Sequence, residues 1–314
     1  MKSHCKKAVP ALLGLMLLLV SPLLPARADP FNLTEVADGI FVHGGKQILP
    51  TAKDMDIANI GFIVGKKCVA VIDPGGSLQI ARALRGKIRE KTDLPICYII
   101  DSHVHADHLL GNEVFKQDHP EFIGHQKLAD AIQSNETFFD MHFATPAEKA
   151  MGKALFVLPT RTVRTGQTER IDLGGRILEL HAYPSAHTNT DLTVYDDNTH
   201  TFWMADLLFM QRIPPLEGSL RGWVAILRNL RKTVTAERVI PGHGPISAPW
   251  PSALDAEQRY LETLLRETRA LIAQGGTLEE AIAKVGQSER KNWLLFDDVH
   301  KRNVTRAYTE LEWE

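Results

Sequence analysis

The chain has 314 residues, is 44% hydrophobic and 24% charged, and carries a formal net charge of −2. That length permits one large domain or two small ones, and that balance belongs to an ordinary globular protein rather than a disordered or fibrous one. With no basic excess and no basic tract, a nucleic-acid partner is not expected.

Taken in chain order, the first element is a leader. Lys2, Lys6 and Lys7 precede an apolar run from Ala8 to Val20, which is followed by Ser21, Pro22, Pro25 and the triplet Ala26-Arg27-Ala28. A positive start, a short apolar stretch and an A-x-A site form the pattern of a secretory signal peptide over residues 1–28. There is no twin arginine, so the general secretory route and a bacterial periplasm are the expectation. No later segment is long and apolar enough to span a bilayer, so the mature chain, 29–314, is expected to have no stable membrane insertion. Cleavage after Ala28 removes Lys2, Lys6, Lys7 and Arg27 and no acidic residue, taking the net charge from −2 to −6. Cys5 leaves as well. The remaining Cys68 and Cys97 are too few for a disulfide scaffold; free core thiols are expected, with a single bridge as the alternative.

Residues 37–45 and 59–76 are rich in β-branched and aromatic residues, and Gly65-Lys66-Lys67 makes the second stretch a hairpin. Leu78, Ile80, Ala81, Leu84 and Ile88 repeat at helical spacing, and "ICYIID" (96–101) reads as the next strand. A helix is expected from near Asp107 through Gln117, a strand over 121–125 and helix over 126–150. The second half repeats the rhythm. Strands fall within 160–184, 191–197 and 200–209, an amphipathic helix over 218–233, a strand over 237–244 and a helix over 252–273, with a mostly helical end. Alternation of strands and helices without a low-complexity linker predicts one α/β domain of two similar halves, helices packed outside sheets.

The histidines carry the chemistry. His103, His105 and His108 share the stretch "HVHADH" just after a strand. His187 lies between two strands, Asp206 ends a strand, and His243 follows another in "IPGHG". Loops beyond strand ends gather at one rim of such sheets and build the site. Imidazole and carboxylate without thiolate suit zinc or another borderline first-row ion. His103 and His105 are two apart and face one side of an extended segment. Asp107 and His108 lie past the bend and can turn toward a second ion. His187 would complete the first set, His243 the second, and Asp206 could bridge both. His43, His119, His125, His142, His181, His200 and His300 sit in no motif, with His181 the nearest to a supporting role. Trp203 and Trp223 are candidates for lining a pocket, although large aromatics more often fill cores.

This constellation resembles the metallo-β-lactamase superfamily over roughly residues 35–250. The signature H-x-H-x-D-H is matched at every position, and a third histidine, a bridging aspartate and a final histidine in a "PGHG" loop follow in order. The resemblance implies an αββα sandwich with a shallow active site along one edge. It also implies seven metal ligands: His103, His105, Asp107, His108, His187, Asp206 and His243. Class B1 and B2 lactamases have cysteine where this chain has Asp206; aspartate there is typical of relatives that cleave thioesters, lactones and phosphoesters. Hydroxyacylglutathione hydrolases have similar ligands, but their basic glutathione clamp has no counterpart here, and the family's nucleases carry a domain this chain lacks. "SAHTNTDLTVYD" and "ADLLFMQRIPPLEGSLRGW" look most like exported zinc metallohydrolases found with sulfur-oxidation and quinoprotein dehydrogenase systems.

The function implied is a binuclear zinc hydrolase acting on a small molecule. Metal-activated hydroxide would attack an ester-like acyl bond, thioesters included, with Asp107 orienting the nucleophile and shuttling its proton. Periplasmic redox or quinoprotein partners follow from the same resemblance. Two other readings stand beside it. One is a sulfur dioxygenase using a single iron on His103, His187 and Asp206. The other is a non-catalytic quinone-binding or relay protein.

Overall fold

The computed structural model describes Met1 and residues 31–314, so the expected leader, Met1 apart, and its cleavage site lie outside the described residues. The chain opens with a hairpin, β1 (Leu33–Ala37) and β2 (Ile40–His43), turned at Asp38-Gly39 with Gly39 at φ 65°. The sequence predicts a single strand over 37–45. β1 escapes that reading because it is a short, half-exposed edge strand with no apolar alternation.

The expected hairpin of β3 (Ile60–Val64) and β4 (Val69–Ile72) follows. α1 (Leu78–Lys91) then crosses to β5 (Ile96–Ile100), which lies parallel to β4. Ser77 caps α1 by accepting from the Ile80 amide, and Leu78, Ala81, Leu84 and Ile88 form its buried stripe. The helix expected over 107–117 is broken. α2 (Ala106–Leu109) makes one turn, Gly111 interrupts, and a 3₁₀ segment continues over 112–118. β6 (Glu121–His125) comes next. Residues 126–150 likewise divide, into α3 (Leu128–His142) and α4 (Pro146–Lys149). Pro146 cannot donate to a preceding turn, so it starts a helix of its own, closed by a capping box between Thr145 and Glu148. β7 (Arg161–Val163) ends the first sheet, whose seven strands lie in sequence order.

The second sheet has six strands in the order β13-β12-β11-β10-β9-β8. They are β8 (Thr168–Asp172), β9 (Ile177–Ala182), β10 (Leu192–Asp196), β11 (Thr201–Phe209), β12 (Arg238–His243) and β13 (Ala248–Pro249). α5 (Leu220–Thr233) makes the crossover that sets β12 parallel to β11. α6 (Asp255–Ala273), α7 (Leu278–Lys284) and α8 (Phe296–Leu311) follow.

Three apolar layers hold these elements. Ile40, Ile63, Ile72 and Ile100 of the first sheet meet Leu178, Leu180, Val194 and Ile240 of the second. Phe62, Val71 and Ile99, on the other face of the first sheet, pack on Leu84 and Ile88 of α1. Phe202 and Met204 carry the second sheet's outer face onto Trp223 and Leu227 of α5 and Tyr260 and Leu264 of α6. Each such side chain contributes about 1.5–3 kcal/mol by leaving water. The order of layers is helix, sheet, sheet, helix: an αββα sandwich. No helix among the described residues is long and apolar enough to cross a membrane.

Cys68 is buried at the entry to β4, Cys97 lies on the neighbouring β5, and both are free thiols. Burial, with Cys97 beside it, pushes the Cys68 thiol up to about 12. Because the thiolate is the reactive form, Cys68 in the native chain from residue 29 onward is expected to resist iodoacetamide near pH 8. Denaturation without reductant should release both thiols to Ellman's reagent; a count of zero would show a bridge.

Candidate metal centre

Four rim segments build the site. After β5 the chain runs extended through Asp101 to His105, and α2 then folds Asp107 and His108 back. The Gly75 amide donates to the His108 carbonyl at 3.0 Å, and the Val104 amide to Thr190 Oγ1 at 3.1 Å, which ties the loop to both sheets. His187 stands in the β9–β10 loop, where Asp191 accepts from the Thr188 amide at 3.0 Å and from its hydroxyl at 2.6 Å. His243 is the last residue of β12.

Asp206 differs from expectation: it lies inside β11, which continues to Phe209. Ala205 takes φ 46°, and the pairing with β12 shifts register on either side of it. This is a bulge, the device that re-aims one side chain without ending a strand. Opposite it, a β-carbon on Gly242 would collide with Asp206 Oδ1, so only glycine lets the two strands close over the carboxylate.

The structure brings all seven predicted residues together as two adjoining groups, His103, His105, His187 and Asp206, and Asp107, His108 and His243. In the first, Asp206 Oδ2 lies 3.5 Å from His103 Nε2 and 3.3 Å from His187 Nε2, and His187 Nε2 lies 3.1 Å from His105 Nδ1. In the second, His243 Nε2 lies 3.4 Å from Asp107 Oδ2, and His108 Nε2 3.6 Å from it. Asp206 serves both groups, with Oδ1 3.1 Å from His108 Nε2 and Oδ2 3.3 Å from His243 Nε2.

The protons on these rings follow from their outer neighbours, since carbonyls and carboxylates only accept. His187 Nδ1 donates to the Pro215 carbonyl at 2.8 Å, and His243 Nδ1 to the Ile57 carbonyl at 2.7 Å. His108 Nδ1 donates to Asp73 Oδ2 at 2.8 Å, and His105 Nε2 to Glu217 Oε2 at 2.9 Å. His103 Nδ1 donates to Ser102 Oγ at 3.0 Å, whose own proton goes to Asp73 Oδ2 at 2.8 Å. Every outer nitrogen is therefore a donor, and every inner nitrogen of a neutral ring is a bare lone pair. His103 Nε2, His108 Nε2 and Asp206 Oδ1 are buried without a hydrogen-bond partner. Lone pairs facing one another repel unless a cation lies among them. Tetrahedral ligands at zinc–nitrogen bonds of about 2.0–2.1 Å would stand roughly 3.3–3.4 Å apart, which the observed spacings straddle. The donor set fits first-row divalent ions.

The sequence reading missed the residues that aim the ligands: Asp73, Ser102 and Glu217. Asp73 had a usable signal, an aspartate just past strand β4 in "VIDPGG", and Asp73 is fully buried at φ 55°. Glu217 had none, because it reaches His105 from 112 residues away.

The electrostatics keep the acids ionised. Burial pushes Asp206 up, but His243, His108 and His103 outweigh it and hold the carboxyl well below its ordinary range. Asp107 follows the same pattern, with His108 and His243 prevailing over burial. Burial pushes His103 well down, the neutral state a ligand requires. His108 moves the other way: burial is outweighed by Asp206, Asp107 and Asp73, which hold it well above its usual value. Asp107, His105 and His243 open onto a cavity of about 290 Å³, whose lining also includes the apolar Met55, Phe138 and Phe143. Trp203 and Trp223 do not line it; both are fully buried in the core, where Trp223 packs against the His187 ring at 5.2 Å between centroids. His181 bonds Thr168 Oγ1 at 2.7 Å in a separate groove on the second sheet.

Comparison with solved structures gives the same architecture. A metallo-beta-lactamase from Pontibacter korlensis superposes with a TM-score of 0.60 at 18% identity, covering 74% of this chain and 99% of that one. The sec-alkylsulfatase Pisa1 from Pseudomonas sp. superposes with a TM-score of 0.68 at 17% identity over 89% of this chain, which spans 50% of the sulfatase. A metallo beta lactamase from Hirschia baltica gives 0.57 at 14% identity, over 74% and 98% of the two chains. At these identities the likeness is one of fold. No curated protein sequence matches. The family model of the metallo-beta-lactamase superfamily matches residues 54–243, which hold all seven converging side chains and most of the chain's length, so the protein belongs to the metallo-beta-lactamase superfamily.

Proposed function

We propose that the protein is a binuclear zinc hydrolase that cleaves an ester-like acyl bond, thioesters included. The observation that carries this is the facing pair His105 Nδ1 and His187 Nε2, 3.1 Å apart with both protons turned outward. It is matched by a second donor set that shares Asp206. His103, His105, His187 and Asp206 would hold one ion, and Asp107, His108, His243 and Asp206 the other. A bound ion pair supplies Lewis acidity, lowering the pKa of water from about 15.7 to roughly 7 and polarising a carbonyl.

The chain's own groups do the rest. Asp107 is ionised and faces the cavity, so it can orient the attacking water, take its proton and return it to the leaving group. Asp73 holds His108 directly and His103 through Ser102, so one buried carboxylate orients a ring in each set. The completeness of the second set, with each histidine anchored from behind, favours two ions over the single iron of a dioxygenase. An exported setting beside redox or quinoprotein partners rests on residues 1–28 and on the resemblance of 185–196 and 205–223 to such hydrolases.

Elemental analysis of the purified chain from residue 29 should find two zinc equivalents; one iron with oxygen uptake would replace this proposal by the dioxygenase reading. His243→Ala should keep one ion and Asp206→Ala neither firmly, each losing most turnover on a panel of thioesters, lactones, phosphoesters and β-lactams. His119→Asn, at an exposed left-handed position that asparagine tolerates, should retain both metal and turnover. Asp73→Asn should keep the fold and weaken metal affinity by about 10–100-fold, the usual cost of losing a group that orients ligands. Competitive chelation measures it, and unchanged affinity would remove Asp73 from the centre.

Loading metal should also release protons. Asp206, Asp107 and Asp73 hold His108 well above its ordinary value, so it keeps its proton to higher pH than a free imidazole, and only its neutral form can bind an ion. An indicator dye in weak buffer should therefore report acidification near pH 7, diminishing as pH rises through the value of the folded protein. No pH change across that range would contradict the assignment.

A further inference from the structure

Two cations line the cavity, and they are placed differently. Arg302, on α8, donates to Glu217 Oε1 at 3.0 Å and is half-exposed, so its charge is already matched. Arg212, just past β11, is 5% exposed and forms no ion pair with any described residue. Its Nη1 donates to the Ile48 carbonyl at 3.2 Å. The same nitrogen lies 3.3 Å from His243 Nδ1, but that atom is itself a donor to Ile57 and has no lone pair to offer. Arg212 Nε is buried with no partner at all. A guanidinium has five donors in a rigid fork, and leaving them unmatched inside a protein is costly.

The nearby negative charge comes from Asp107 and Asp206, which partly offset the burial of the guanidinium. Both carboxylates belong to the donor sets described above. Once they bind divalent cations, their charge is taken up and Arg212 is left without a counter-ion in an already electropositive site. The geometry asks for an anion brought by the ligand. The apolar part of the lining asks for something else. Phe138 and Leu49, 47% and 40% exposed, line the cavity together with Met55 and Phe143. Exposed large apolar groups around a concave site with one polar anchor mark a ligand-binding surface.

We propose that Arg212 is the oxyanion-binding group of this cavity and that the substrate is an amphipathic organic acid. Its carboxylate or other oxyanion is held by Arg212, and its apolar alkyl or aryl part lies against Phe138 and Met55. On the hydrolase reading, on which the substrate role rests, the scissile bond sits between these ends, beside Asp107. Arginine's fork suits a planar carboxylate in two parallel hydrogen bonds and accommodates a tetrahedral sulfonate less tightly.

The test uses three inert ligands on the metal-loaded protein, read by calorimetry. They are 4-phenylbutyrate, 3-phenylpropane-1-sulfonate and the neutral 4-phenylbutyramide. Both anions should bind about tenfold tighter than the amide, the worth of one buried charge-assisted pair. Arg212→Gln, with metal content verified, should bring the three to within about threefold of one another, since only the anions lose a partner. Phe138→Ala, at an exposed site where folding is not at stake, should weaken all three alike. If the sulfonate falls with the amide while the carboxylate alone binds, the metals rather than Arg212 hold the anion, and the proposal fails. It fails equally if Arg212→Gln keeps the anion preference. Should Arg212→Gln not fold, Arg212→Lys decides: losing the fork should reduce carboxylate binding more than sulfonate binding, and equal retention of both would overturn the proposal. The outcome is separable from the hydrolase reading. Arg212-dependent anion binding without acyl hydrolysis sinks that reading and leaves this site. Hydrolysis of neutral and anionic esters at equal rates, unaffected at Arg212, does the reverse.

Discussion

Five imidazole lone pairs and two ionised carboxylates point at one another in a space where adjoining donor atoms are 3.1–3.6 Å apart. Burial leaves most of these atoms little water to offset that arrangement. Only cations resolve it, whether protons on His105 and His108, as their raised values imply, or metal ions. The centre is therefore a place where the fold stores repulsion and releases it on binding. That logic explains why the outer shell is so complete. A ring free to turn would relieve the repulsion by rotating away, and each ring is denied that freedom by one hydrogen bond on its far nitrogen.

The sandwich supplies what this demands. Two sheets packed face to face bring the ends of β5 and β12, the bulge within β11 and the β9–β10 loop together, although they come from opposite halves of the chain. Each half contributes ligands that the other half orients. His105 is aimed by Glu217 and His243 by the Ile57 carbonyl, across sequence gaps of 112 and 186 residues. The Asn59 side chain adds a bond to the Pro241 carbonyl, two residues before His243, at 2.9 Å. The site is thus also a seam, and loosening either sheet would disturb both donor sets.

What was legible in the sequence follows from locality. "HVHADH" announces itself because three histidines and an aspartate in six residues have no use in an ordinary turn. His187, Asp206 and His243 are legible only in that company, by order and strand context. The fold class was legible because buried strands and the stripes of α1 and α5 are strongly periodic. What escaped is what periodicity does not encode. β1 is short, half-exposed and without alternation. The helices expected over 107–117 and 126–150 break where Gly111 and Pro146 override the apolar pattern. The bulge at Ala205 leaves no mark, since alanine gives no hint of a left-handed backbone, and only Gly242 across the strand pair reveals why Asp206 can turn inward. Asp73, Ser102 and Glu217 were missed because an orienting residue is defined by its partner, not by its neighbours in the chain.

The same distinction separates the two arginines of the cavity. Arg212 lies in the stretch 205–223 and Arg302 directly follows Lys301, and composition cannot rank them. In the structure, Arg302 has the Glu217 carboxylate to match its charge, and Glu217 in turn fixes His105, so this arginine is tied into the support of the first donor set. Arg212 is deeper, lacks a carboxylate and leaves Nε bare beside the second set. A protein that only needed to stabilise its fold would gain by replacing such a group with an apolar one of similar volume. Keeping such a guanidinium next to clustered donors makes sense if its partner comes with a ligand, as the proposed ions would come from solution. On the two proposals above, the bare atoms His103 Nε2, His108 Nε2 and Asp206 Oδ1 would be completed by metal ions and Arg212 Nε by an oxyanion, so one pattern would account for all four.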